Sequence, residues 1–185
     1  MIGVILAGGQ SLRFGGTPKG LQLLAGLPLV GHVHASLSLV CTEVFIECAP
    51  GSDYEGWGVP CIHAGAAHAG KGPLAGLLAG LETAYGQSVA FAPCDMPLLA
   101  PPLYDRLKAE PGGGHAISPK GPEPLVCVLP GSLLPSIREA LAQSVIPRVV
   151  EVFARAGVSG VPFQEEWPFV NVNTPEELAR LAQQF

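Results

Sequence analysis

Ile2-Gly3-Val4-Ile5-Leu6-Ala7-Gly8-Gly9-Gln10-Ser11-Leu12-Arg13-Phe14-Gly15-Gly16-Thr17-Pro18-Lys19 joins a short apolar run to a glycine-rich segment that carries two cations. Residues 2–6 have the length and character of a buried strand. Glycines at 8, 9, 15 and 16 let the backbone turn its N–H groups toward one point and admit a phosphate without meeting a Cβ. Arg13 and Lys19 stand beside that cradle in a chain with only ten Lys plus Arg. Together these features suit a triphosphate, with a plain surface loop as the alternative. The glycine spacing does not fit G-x-G-x-x-G, so a dinucleotide fingerprint is excluded.

Outward from this stretch, apolar runs of strand length alternate with helical stretches. Leu29, Val30, Val33, Leu37 and Val40 recur at helical spacing after Pro28. Strands are expected at Glu43–Cys48, Val59–His63 and Ser88–Pro93, with a helix opening at Pro73 and another over 102–110. His115–Ser118 and Pro124–Leu129 read as two more strands around the turn Lys120-Gly121-Pro122, followed by helices near 131–144 and 148–157. Phe169–Val172 is read as a last strand. It leads to a helix that starts with Thr174 as N-cap, Pro175 in the first position and Glu177 closing a capping box. Strand, crossover helix, strand predicts an α/β domain with a mostly parallel sheet, helices on both faces and antiparallel pairing contributed by 113–130. No internal repeat or long linker appears, so residues 1–185 are expected to form a single domain.

Composition narrows the function. Ten Lys plus Arg against fifteen Asp plus Glu give a net charge of −5, which argues against nucleic acid and anionic membrane as partners. Residues 20–42 carry no formal charge, but Gly26, Pro28, Gly31, His32, His34, Ser36 and Ser38 break the run, so no membrane span is expected. No basic segment precedes Ile2 to mark a signal peptide. The five cysteines form no CxxC pair and read as reduced apolar fillers, which points to the cytoplasm.

In sheets of this type, ligands bind outside the carboxyl ends of the strands. Asp95 follows the apolar run Val89-Ala90-Phe91-Ala92-Pro93 and is one of only three aspartates. At a strand's carboxyl end beside a phosphate loop it is placed to hold Mg²⁺; a turn or N-cap role is the alternative. Cys94 reads as a packed residue. Gly65-Ala66-Ala67-His68-Ala69-Gly70-Lys71-Gly72 falls one residue short of a P-loop, because Gly72 stands where a Ser or Thr should bind magnesium. That segment reads as a hinge, with Lys71 a possible reach toward ligand. Asn171 and Asn173 flank Val172 and are expected on one side of a strand end, either binding ligand or tying loops. His32 and His34, on an apolar helix, read as structural.

Leu6-Ala7-Gly8-Gly9, Ser11, Arg13, Gly15-Gly16, Lys19-Gly20, Gly72-Pro73-Leu74-Ala75-Gly76, Pro93-Cys94-Asp95 and Phe169-Val170-Asn171-Val172-Asn173-Thr174-Pro175-Glu176-Glu177-Leu178 together resemble the molybdenum cofactor guanylyltransferases, a MobA-like nucleotidyltransferase family. The resemblance covers essentially the whole chain. It implies a three-layer Rossmann-like fold and Mg²⁺-dependent transfer of GMP from GTP to the phosphate of molybdopterin, with release of pyrophosphate. It further implies that Leu6, Ala7, Gly8 and Gly9 contact the nucleotide, that Lys19 meets its phosphates, and that Asp95 holds the metal. Arg13, Lys19 and Asp95 would be catalytic, and Asn171 and Asn173 would face the acceptor. GTP and molybdopterin are the implied partners, with cofactor-delivery or molybdoenzyme-maturation proteins as further ones. The chain departs from the family at Pro18, where an aspartate is usual, at Glu47-Cys48-Ala49, where an asparagine is usual, and near Ala64-Gly65, where an aspartate is usual. These departures keep open a related transferase using CTP on another phosphorylated acceptor, and a nucleotide-binding protein without catalysis.

Overall fold

The computed structural model describes residues 1–8 and 17–184. β1 (Ile2–Leu6) is followed by the small hairpin of β2 (Leu23–Leu24) and β3 (Leu27–Pro28), which leads into α1 (Leu29–Leu37). β4 (Val44–Glu47), β5 (Cys61–Ile62), α2 (Pro73–Thr83), β6 (Val89–Pro93) and α3 (Pro101–Lys108) come next. β7 (Gly114–Ser118), β8 (Gly121–Leu129), α4 (Leu134–Leu141), α5 (Val149–Ala156), β9 (Ser159–Pro162) and α6 (Pro175–Ala182) complete the chain.

Seven strands form one sheet in the order β5-β4-β1-β6-β8-β7-β9. β5, β4, β1 and β6 are parallel, β8 is antiparallel to both β6 and β7, and β9 is parallel to β7. The antiparallel pairing expected in 113–130 is present, and β9 covers the outer edge that it would otherwise expose.

Period-two alternation explains why helices lie on both faces. Along β1 and β6, Ile5, Ala90 and Ala92 pack with Val30, Val33 and Leu37 of α1 and Leu103, Tyr104 and Leu107 of α3. Their neighbours Ile2, Val4, Val89 and Phe91 point the other way, onto Leu74, Leu77 and Leu81 of α2 and onto residues of α4 and α5. A glycine lets α2 approach: a Cβ at Gly80 would lie 2.5 Å from the Phe91 ring.

One expected strand is absent. Phe169–Val172 forms no ladder; Trp167–Phe169 is a 3-10 turn, and the strand of this region is β9. The apolar residues that suggested a strand instead serve as anchors. Phe169 enters the α1–α3 core, and Val172 joins Leu24, Leu29 and Leu181 in a separate cluster under α6.

From β1 the chain passes through α1 to β4 on one side, and later returns through α2 to β6 on the other side. This reversal opens a crevice at the carboxyl end of β1, the position where such sheets bind ligands. Leu6 is in register with Glu47 of β4 and with Pro93 of β6. Whatever follows those two residues flanks the crevice.

Candidate functional site

Lys19 begins a 3-10 turn after Pro18. Its position is set by the next residue: the buried Gly20 N–H donates to Tyr54 Oη at 2.9 Å. A Cβ at Gly20 would lie 2.6 Å from that oxygen, so the close approach requires glycine. Tyr54 is itself buried, and burial pushes its phenol far above the usual range, so it stays a neutral hydroxyl.

From this seat the Lys19 ammonium forms an ion pair with Asp95 Oδ2 and donates to Asn173 Oδ1 at 2.7 Å. Three groups from distant parts of the chain therefore meet at one point. Asp95 lies two residues past β6. Its carbonyl accepts the Val172 N–H at 2.9 Å, which ties the 171–173 segment to the sheet edge. Asn173 is held from the other side by α6. Its N–H and that of Thr174 donate to Glu177 Oε2 at 2.6 and 3.1 Å, and Thr174 Oγ1 accepts the Glu177 N–H at 3.2 Å. The capping box read from the sequence thus also fixes a site residue.

The second carboxylate oxygen of Asp95 is the informative one. Oδ1 is buried and has no hydrogen-bond partner among the described residues. A buried anionic oxygen without a partner is costly, and a hard cation is a natural occupant. The described residues contain no cluster of three or more His, Cys, Asp or Glu side chains suited to a metal. One carboxylate completed by substrate phosphates fits Mg²⁺, which is commonly held that way, and fits zinc poorly.

Cys94, next to Asp95, is buried, and its thiol is pushed up to about 12, first by burial and then by the neighbouring Asp95 charge. It is a packed thiol with no thiolate character, as the sequence suggested. Lys71 does not reach the site: its ammonium donates to the Leu141 carbonyl at 3.3 Å, across to the end of α4. The P-loop alternative fails with it, since Gly72 caps α2 with φ 72° and Pro73 supplies no N–H. His32 Nε2 lies 2.9 Å from the Leu24 carbonyl and the His34 ring meets Trp57 edge-on, both structural roles. Asn171 lies half-buried two residues before Asn173 and off any strand. The expectation that a strand end aims both asparagines one way is therefore replaced: a loop segment pinned at Val172 places Asn173 alone on Lys19.

Among the expected nucleotide contacts, Leu6, Ala7 and Gly8 line the crevice end of β1. Leu6 O accepts from Cys94 N at 3.1 Å and Ala7 N donates to Glu47 O at 2.8 Å. Gly9 and Arg13 lie outside the described residues, as do Ser11, Gly15 and Gly16.

Three side chains near the site were not singled out as site residues from sequence. Tyr54 gave no signal, because its contact spans 34 residues of chain. Glu47 is the lone acid of an apolar strand, which is a usable signal. Glu123, early in β8, accepts from Ser118 Oγ at 3.1 Å. Its carboxyl is pushed up mainly by burial, with Asp95 adding to the rise.

A family model described as the MobA-like NTP transferase domain matches residues 3–158. The chain belongs to the MobA-like NTP transferase family. Relatives named molybdenum cofactor guanylyltransferase include one from Cupriavidus metallidurans, 36% identical over 95% of this chain and 91% of its own length. Another, from Burkholderia ambifaria, is 38% identical over 97% of this chain and 94% of its own length. Among solved structures, molybdopterin-guanine dinucleotide biosynthesis protein A from Archaeoglobus fulgidus shares the fold, with a TM-score of 0.80 and 24% identity over 100% of this chain and 98% of that one. The 2-C-methyl-D-erythritol 4-phosphate cytidylyltransferase of Thermus thermophilus shares it more distantly, at TM-score 0.72 and 16% identity over 98% of this chain and 97% of that one.

Proposed function

We propose that this family member transfers GMP from GTP to the terminal phosphate of molybdopterin, releasing pyrophosphate and forming molybdopterin guanine dinucleotide. The convergence of Lys19, Asp95 and Asn173 at the carboxyl edge beside β1 is the observation that carries this proposal. An acceptor phosphate oxygen attacks the α-phosphorus of GTP, and the α–β bridging oxygen leaves with pyrophosphate. The attacking oxygen is already anionic, so no general base is needed, and catalysis reduces to positioning and charge neutralisation. Lys19 is the positive charge of the described site. In the free protein it rests on Asp95 and Asn173, and with nucleotide bound it would turn to the triphosphate.

Asp95 would hold Mg²⁺, the ion supplying further neutralisation of the phosphates. Leu6, Ala7, Gly8 and Gly9 would line the nucleotide, Arg13 would join Lys19 on the phosphates, and Asn171 and Asn173 would face the acceptor. We place this activity in the cytoplasm, as the reduced cysteines suggested; no described helix is long and apolar enough to cross a membrane. Radiolabelled GTP incubated with the protein, Mg²⁺ and molybdopterin should give labelled dinucleotide and pyrophosphate. Turnover with CTP alone would move the protein to a cytidylyl-transferring branch, and GTP binding without pyrophosphate release would make it a non-catalytic binder.

A further inference from the structure

Tyr54 is the buried residue of the 3-10 turn Asp53–Trp57, in the loop between β4 and β5. Asp53, Glu55 and Gly56 beside it are exposed. The loop is closed on itself: the Ser52 N–H donates to the Ala49 carbonyl at 3.2 Å, and the Gly51 N–H donates to Glu55 Oε1 at 2.9 Å. Gly58, with φ 86°, ends the turn. The phenol ring anchors this loop in the core cluster that also holds Cys48, Cys94 and Met96.

Its hydroxyl completes the turn that carries Lys19. There the Leu21 N–H donates to the Pro18 carbonyl at 3.0 Å and the Gln22 N–H to the Lys19 carbonyl at 3.1 Å. The buried Gly20 N–H has Tyr54 Oη as its acceptor, 2.9 Å away. Cys94 Sγ stands 3.9 Å from the same oxygen, within reach of a hydrogen bond to sulfur. A Cβ at Gly20 would lie 2.6 Å from Tyr54 Oη and 3.1 Å from Cys94 Cβ, so Gly20 is wedged between the two side chains. Cys94 is fixed in turn by its N–H, which donates to the Leu6 carbonyl at the end of β1. Gly20 follows Lys19 and Cys94 precedes Asp95, so this three-way contact lies one residue from each member of the ion pair.

We infer that Tyr54 is a positioning residue for the transfer: its hydroxyl holds the backbone after Lys19 against the backbone before Asp95 and so sets where the ammonium stands relative to the carboxylate. The inference rests on the nucleotide-transfer proposal above. Without the hydroxyl the buried Gly20 N–H loses its acceptor, a costly state that the turn relieves by shifting, and Lys19 shifts with it.

The test places Tyr54→Phe, which keeps the ring and removes the hydroxyl, in the wild-type and in the Lys19→Ala background. GMP transfer from GTP to molybdopterin is measured in each, normalised to folded protein by melting curves. Alone, Tyr54→Phe should lower kcat/KM for GTP about tenfold and leave the KM for molybdopterin within about twofold, because a displaced charge costs alignment at the phosphates. In the Lys19→Ala background the same substitution should change kcat/KM by less than about twofold, since residues that act through one another do not add. Gly20→Ala drives a methyl onto the same oxygen from the other side and should lower kcat/KM for GTP in the same direction. Adding Tyr54→Phe to Gly20→Ala should cost no more than Gly20→Ala alone. An undiminished loss from Tyr54→Phe in the Lys19→Ala background would leave Tyr54 merely structural and overturn the inference, as would wild-type kcat/KM in Tyr54→Phe itself. A wild-type protein that transfers no GMP would overturn the nucleotide-transfer proposal and this inference together.

Discussion

Lys19 shares one positive charge between an aspartate and an asparagine that lie 76 and 154 residues away in sequence. Nothing local in Thr17-Pro18-Lys19 specifies that arrangement; the glycine after it does, by admitting the Tyr54 hydroxyl. Asp95 was legible because an acid directly after a wholly apolar run has few other reasons to be there. Its second oxygen, buried and without a partner among the described residues, was not legible, since burial of a single atom depends on which distant segments pack around it. Asp95→Ala should lower Mg²⁺-dependent turnover by about 10²–10³-fold, the usual cost of losing one electrostatic contact to a transition state. Its melting temperature should stay near that of wild type, because the substitution also removes a buried oxygen that has no partner among the described residues, and Lys19 keeps Asn173. Turnover within a few-fold of wild type would remove Asp95 from the mechanism.

At the scale of elements, α6 shows how a cap acts on a site at a distance. Thr174 and Glu177 close a reciprocal box, and the same Glu177 oxygen accepts from Asn173, the residue that meets Lys19. Thr174→Ala should cost about 1 kcal/mol. For a chain of this size that is a drop of roughly 2–4 °C in melting temperature. Because the box also orients Asn173, kcat/KM should fall by more than the loss of folded protein explains; proportional losses would confine the box to stability. The box was readable in Thr174-Pro175-Glu176-Glu177 because capping chemistry is local. The segment before it was misread as a strand for the converse reason. Phe169 and Val172 are apolar because they anchor a loop in two different clusters, and single-chain periodicity does not distinguish an anchor from a strand residue.

For the whole molecule, burial of acids links stability to pH. Glu47 is pushed up chiefly by burial, against the Gly8 amide and His63, and Glu123 is pushed up chiefly by burial as well. The folded state therefore keeps these protons to higher pH than the unfolded chain does. Stability must fall as pH rises from the ordinary carboxylate value through the raised ones. Glu47→Gln removes one such group. The melting temperature of wild type should drop relative to Glu47→Gln as pH rises above about 4, near the ordinary glutamate value. A gap that does not change with pH would show that Glu47 titrates as an exposed acid does.

Sequence by itself determined the α/β class and the strand that feeds the glycine-rich segment, and it named the three residues that meet, Lys19, Asp95 and Asn173, because periodicity, capping and glycine clusters are written within a few neighbouring residues. Only the tertiary structure decided that Asn173 reaches Lys19, that Tyr54 seats Gly20 and that Glu47 is buried against Gly8 and Gly76. Those contacts depend on sheet order and helix packing, which bring together parts of the chain whose local sequences carry no record of each other.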